Sequence, residues 1–154
     1  MNITKAPEEI LDAMKEHEQA IADLYELYAE KFPEYEDFWN DLSREEIQHA
    51  GWLGKLQDHI EDSTEDFVVE RFPVGAIERS TEFVKKQIET AQQPDFVLIN
   101  ALSTALRLEE ALMESKYVEI LDTDSAKTKH TLKMLAQSTQ AHYQKIRKLW
   151  QENK

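Results

Sequence analysis

Four stretches of this chain repeat an apolar residue at alternating steps of three and four, and near its middle each stripe admits a glutamate or a histidine. The first runs Leu11, Met14, Glu18, Ile21, Tyr25, Tyr28, Phe32, and the second Tyr35, Trp39, Leu42, Glu46, His49, Leu53, Leu56, Ile60. The third runs Phe96, Ile99, Ser103, Leu106, Glu110, Met113, Tyr117, Ile120, and the fourth Thr128, Leu132, Leu135, Thr139, His142, Ile146, Leu149. This period puts each set on one face of a helix, the face that a helical bundle buries. The chain must therefore carry several ionisable side chains into its core together.

The helix-breaking residues agree with that reading. There are three Gly, and the four Pro (Pro7, Pro33, Pro73, Pro94) all fall where a periodic stretch begins or ends, as expected when Pro is kept out of helix interiors. The spacing predicts an all-α fold with helices from about Ala6 to Lys31, Pro33 to Glu61, Asp95 to Leu121 and Ser125 to Gln151, and a further helix from about Val74 to Ala91. Asp122-Thr123-Asp124-Ser125, rich in capping side chains, makes a short turn between the last two. Short links between the first and second helices, and between the last two, make antiparallel hairpins. The long connection from about Asp62 to Pro94 crosses the length of the bundle and contains the extra helix. At 154 residues, 1–154 is one domain with a single core.

Composition narrows the function. Without a single Cys, thiolate zinc sites, iron–sulfur clusters and a rubredoxin-type electron-transfer module are excluded. Thirty-one acidic against eighteen basic residues give a net charge of −13, which repels phosphate backbones and anionic membranes and attracts small cations. No nucleic-acid or membrane partner is expected. The N-terminus lacks a basic region followed by an apolar run, and no stretch nears the roughly 20 apolar residues of a membrane span, so a cytoplasmic location is expected.

The motif Glu46-Ile47-Gln48-His49 is weak on its own, since a Glu-rich chain produces such a pair by chance. Its register is the harder test. Residues three apart lie on one helix face, and mid-helix positions of four antiparallel helices converge at one depth. The two halves of the chain also repeat: Glu18 and Tyr25 correspond to Glu110 and Tyr117, and Glu46 and His49 to Thr139 and His142. Unpaired carboxylates in an apolar core each cost several kcal/mol, and they respond with raised pKa values or by recruiting a cation. A divalent metal at Glu18, Glu46, His49, Glu110 and His142 resolves that conflict; a hydrogen-bonded polar layer is the alternative.

Leu42-Ser43-Arg44-Glu45-Glu46-Ile47-Gln48-His49-Ala50, the Glu18 to Tyr25 spacing, and their echoes in the last two helices resemble the rubrerythrin branch of the ferritin-like superfamily, across most of the chain. The resemblance implies a ferritin-like four-helix bundle holding two irons between carboxylates and histidines. Glu18 and Glu110 would then be terminal ligands, Glu46 a bridging carboxylate, and His49 and His142 the nitrogen ligands. Thr139 stands where that family places a second bridging glutamate. The implied chemistry is reduction of peroxide or dioxygen, or oxidation of ferrous iron, with Glu46, Glu110 and Tyr25 as candidate catalytic residues. Iron is the expected cofactor, two ions or one, with manganese or zinc as alternatives. The oxidant is a small molecule, the electron donor is a separate and unidentified partner, and a homodimer is favoured over a hollow cage.

Neighbouring residues have competing readings. Glu109 rivals Glu110, because Leu102, Ala105 and Leu112 flank it at helical spacing, but the repeat register selects Glu110. Tyr25 and Tyr117 can serve the ligand shell or fill the core. Glu114, one turn past Glu110, can add a ligand or face solvent. His17, His59 and His130 fall outside the stripes and are expected at the surface, and Trp39, Trp52, Trp150, Phe67 and Phe72 as core or subunit-contact aromatics. Two other functions fit the same pattern: iron storage or handling, and a bundle whose degenerate site leaves it a scaffold or interaction module.

Overall fold

A computed structural model describes residues 7–62, 68–69, 74–114, 121–122 and 126–154. In chain order these form α1 (Pro7–Lys31), a 3-10 turn (Pro33–Tyr35), α2 (Glu36–Asp62), β1 (Val68–Val69), α3 (Val74–Ala91), α4 (Leu98–Glu114), β2 (Leu121–Asp122) and α5 (Ala126–Asn153). Among the described residues the chain is all-α apart from one two-residue antiparallel pairing, Val68 opposite Asp122 and Val69 opposite Leu121.

The helices stop where their sequence requires. Pro33 cannot continue α1, whose last turn closes through Phe32 N–H to Tyr28 O at 2.9 Å, and the 3-10 turn begins at that proline. At the start of α4 the Asn100 side chain accepts a hydrogen bond from Val97 N–H at 3.0 Å, the reciprocal half of a capping box. That cap places the first turn of α4 at Leu98 instead of Asp95. The expected continuation of this helix to Leu121 is corrected too, because Leu121 is extended in β2. It pairs with β-branched Val69 of β1, a residue type that favours extended backbone. The rest of the expected turn Asp122-Thr123-Asp124-Ser125, together with Tyr117, Phe67 and Phe72, lies outside the described residues.

Packing follows the stripes. Helices α1 and α2 form one hairpin, α4 and α5 the other, α2 also meets α5, and α3 lies against α1. Small residues bring α1 and α2 close: Ala22 and Ala50 are buried at their seams, and the buried Ser43 hydroxyl donates to Ala22 O at 2.8 Å. One end of the bundle is an aromatic layer. Tyr28 meets Trp39 edge-on with ring centroids 4.8 Å apart and stacks on Phe96 at 5.8 Å, while Tyr25 lies 5.5 Å from Trp39. Toward the other end, Leu11, Met14, Leu53, Leu56, Leu132 and Leu135 make an aliphatic layer. Between the two lies a buried polar layer. Lys31, at the end of α1, ties α3 to it by donating to Ala91 O at 2.5 Å and Gln93 O at 2.8 Å, satisfying carbonyls at that helix end.

Candidate metal centre

The polar layer comprises Glu18 from α1, Glu46 and His49 from α2, Glu109 from α4, and Thr139 and His142 from α5, all at most 5 % exposed. Their atoms fall into two groups that share Glu46: Glu18, Glu46 and His49, and Glu46, Glu109 and His142. In the first, His49 Nδ1 lies 3.4 Å from Glu46 Oε2 and 3.7 Å from Glu18 Oε2. In the second, His142 Nδ1 lies 3.0 Å from Glu46 Oε1 and 3.5 Å from Glu109 Oε1. The two oxygens of Glu46 thus serve one group each, the orientation of a bridging carboxylate.

The structure brings together Glu18, Glu46, His49 and His142, with Tyr25 beside them, but not Glu110. Glu110 points to solvent and Glu109 is buried in its place. The reason lies in the packing of α4, whose buried face runs Ala101, Leu102, Ala105, Leu108, Glu109, Leu112, leaving Ser103 exposed. That face is more continuously apolar than the stripe through Ser103, so burial sets the helix rotation and overrides the repeat register. His17 is a second correction. It is 3 % exposed, with Nε2 2.8 Å from Ser80 Oγ, because α3 packs over that face of α1, and burial lowers its pKa. His59 is partly exposed and His130 exposed.

Three residues outside the expected ligand set hold the site in place. Tyr25 donates its hydroxyl to Glu109 Oε1 at 2.8 Å. Burial and the Glu109 charge keep that phenol's pKa well above its ordinary value, so it stays a donor. Glu45 Oε2 lies 2.5 Å from His142 Nε2, and Ser138 Oγ lies 2.6 Å from His49 Nε2. Both rings therefore turn Nδ1 inward and give Nε2 to a residue of the opposite helix hairpin. A partner on the far nitrogen is the usual device for orienting a metal-binding histidine. Glu45 and Ser138 each directly precede a position of the repeated motif, so adjacency was the sequence signal for them.

Charge explains what this layer needs. Burial alone would lower the His49 pKa, but the carboxylates of Glu18 and Glu46 carry it up to about 10, and those of Glu109 and Glu46 carry His142 up to about 11. Burial and the neighbouring Glu46 carboxylate push Glu18 up to about 8. Without a metal, protons on these groups supply the positive charge. They do not complete the hydrogen bonding: among the described residues Glu18 Oε2, Glu46 Oε2, His49 Nδ1 and Glu109 Oε2 are buried without a hydrogen-bond partner. Such orphans are costly. Ligand atoms about 2.1 Å from a common ion sit roughly 3.0–3.4 Å apart, close to the imidazole–carboxylate separations of 3.0–3.7 Å in the two groups, whose ligand atoms all lie within 4.8 Å of one another. The donor set of carboxylate oxygens and imidazole nitrogens fits a transition-metal ion.

A one-crossover bundle with paired carboxylate and imidazole groups facing each other across its centre is a ferritin-like metal-binding protein. The rubrerythrin family profile matches residues 9–150, and the chain belongs to that family. Neither the comparison with curated proteins nor the comparison with solved structures gives a match. Among the described residues no helix is long and apolar enough to cross a membrane.

Proposed function

We propose that this protein holds two iron ions, one at Glu18, Glu46 and His49 and one at Glu46, Glu109 and His142, and acts as an oxidoreductase that reduces peroxide or dioxygen. The observation that carries this reading is the set of four buried donor atoms left without hydrogen bonds, all aimed into one layer. Bound iron supplies electrons and open coordination positions to the oxidant. The chain's own residues do the rest. Glu46 spans both positions, the Tyr25 hydroxyl fixes one oxygen of Glu109 and leaves the other free, and Ser138 and Glu45 hold the two imidazoles.

The aromatic and aliphatic layers on either side exclude bulk water, so the oxidant must be small. Reduction of peroxide to two waters takes two electrons and two protons. These 154 residues hold no Cys for an iron–sulfur or rubredoxin centre, so the electrons come from an electron carrier outside this domain. Metal analysis of the purified protein, then anaerobic ferrous loading and addition of peroxide, tests the reading. The expected result is about two irons per chain that peroxide oxidises rapidly and a reductant restores. A chain that retains no iron after loading, or ferrous iron that peroxide leaves unoxidised, overturns it.

A further inference from the structure

The two halves of the polar layer are chemically unequal. In the half formed by Glu18, Glu46 and His49, the three facing atoms, Glu18 Oε2, Glu46 Oε2 and His49 Nδ1, all lack a hydrogen bond among the described residues. In the other half, His142 Nδ1 is hydrogen-bonded to Glu46 Oε1 at 3.0 Å, and Glu109 Oε1 already accepts from Tyr25 at 2.8 Å. Among the described residues only Glu109 Oε2 lacks a hydrogen bond there. The first half is an open cradle, while the second is closed upon itself.

We infer that the two halves load in order, the Glu18, Glu46 and His49 position first and the Glu46, Glu109 and His142 position second. A cation entering the first half gains three donors and displaces no hydrogen bond, only the wider ion pairs of His49 Nδ1 with Glu46 at 3.4 Å and Glu18 at 3.7 Å. A cation entering the second must part His142 from Glu46 and share Glu109 with Tyr25. Losing one hydrogen bond to a charged group corresponds to roughly a 10- to 100-fold difference in affinity. Thr139, 5 % exposed and one helical turn before His142, supplies no carboxylate to either half, so nothing further on α5 offsets that loss. The protein thereby has a stable state with one ion, in which the second position can take a different metal or exchange with the solvent pool.

This inference rests on the proposed two-metal site, and one titration separates the two. Co²⁺ is added to the chelator-treated 154-residue chain under equilibrium dialysis while its visible absorption is followed. The wild-type chain should take up one equivalent tightly and a second roughly 10- to 100-fold more weakly. Glu109→Ala should keep the tight equivalent and lose the weak one. His49→Ala and the isosteric Glu18→Gln should lose the tight one, with circular dichroism confirming that each variant is folded. Two equivalents with one indistinguishable affinity, or loss of the tight equivalent in Glu109→Ala, overturns the loading order and leaves the two-metal reading standing. No bound Co²⁺ in the wild type overturns both.

Discussion

The imidazoles of His49 and His142 stack with centroids 5.1 Å apart and planes 19° from parallel, each held from outside by a residue of the other's helix hairpin. Ser138 on α5 reaches the ring from α2, and Glu45 on α2 reaches the ring from α5. This crossed arrangement locks α2 to α5 at the depth of the buried carboxylates, and both Nδ1 atoms face inward as a result. Glu45→Ala is expected to free the His142 ring and weaken metal binding roughly 10- to 100-fold, the usual cost of losing such a partner. Ser138→Ala should do the same to His49. Equilibrium dialysis measures both, and an affinity unchanged in either variant would show that the crossed pairs do not orient the rings.

Neighbouring glutamates on α4 have opposite fates. Glu109→Ala should remove one of the two metal equivalents, whereas Glu110→Ala, at an exposed position, should bind metal as the wild type does and shift stability by no more than about 0.5 kcal/mol. Metal analysis of both variants decides it; loss of metal in Glu110→Ala with retention in Glu109→Ala would restore the register of the repeat.

The metal-free protein should lose stability as the pH rises above neutrality. Glu18 is raised from 4.5 to about 8, so its contribution is complete below 4.5 and disappears as pH climbs through 8. His49 and His142 are raised from 6.5 to about 10 and about 11, so theirs begins to fade above 6.5 and is lost through those values. His17, whose pKa is lowered from 6.5, opposes them only below that value. Thermal melts in chelator from about pH 7 to about pH 9 should show a falling midpoint, and bound metal, replacing the protons, should flatten the slope. A chelated midpoint that rises over this range contradicts the assignment.

Restoring a carboxylate on α5 is the converse experiment. Thr139 is buried in the polar layer one turn before His142, where a glutamate would offer a second bridge between the halves. Thr139→Glu should increase the metal retained after chelator challenge. Elemental analysis showing the same or lower content than wild type would count against the two-metal geometry.

The aromatic layer carries stability independently of metal. Trp39 is fully buried against Tyr25, Tyr28 and Phe38, and Trp39→Ala should cost about 3–5 kcal/mol. Denaturant unfolding in chelator gives the value. A loss below about 1 kcal/mol would mean that this layer relaxes around the deletion.

Much of the site was legible because a charged residue within an apolar helical stripe has nowhere to go but the core. Glu18, Glu46, His49 and His142 each interrupt a stripe whose apolar members on both sides are themselves buried, so burial of the stripe carries the polar residue inward. On α4 that logic met two adjacent glutamates and two overlapping stripes. A one-residue step rotates a position by about 100° around a helix, enough to exchange core for solvent. The repeat register chose Glu110, and packing chose Glu109. His17 was misplaced for a related reason: a stripe reveals the face buried within the bundle, but not that a crossover helix covers a second face of α1.

The sequence by itself determined the helices, the one-crossover bundle and the presence of carboxylates and imidazoles in its core, because these depend on periodicity, on proline and on the cost of burying charge. Only the tertiary structure decided the rotation of α4, which oxygen of Glu46 faces which group, the crossed support from Glu45 and Ser138, and the open and closed character of the two halves. Those properties depend on distances between atoms of different helices, which are set when the whole core is packed and have no counterpart in the spacing along any one of them.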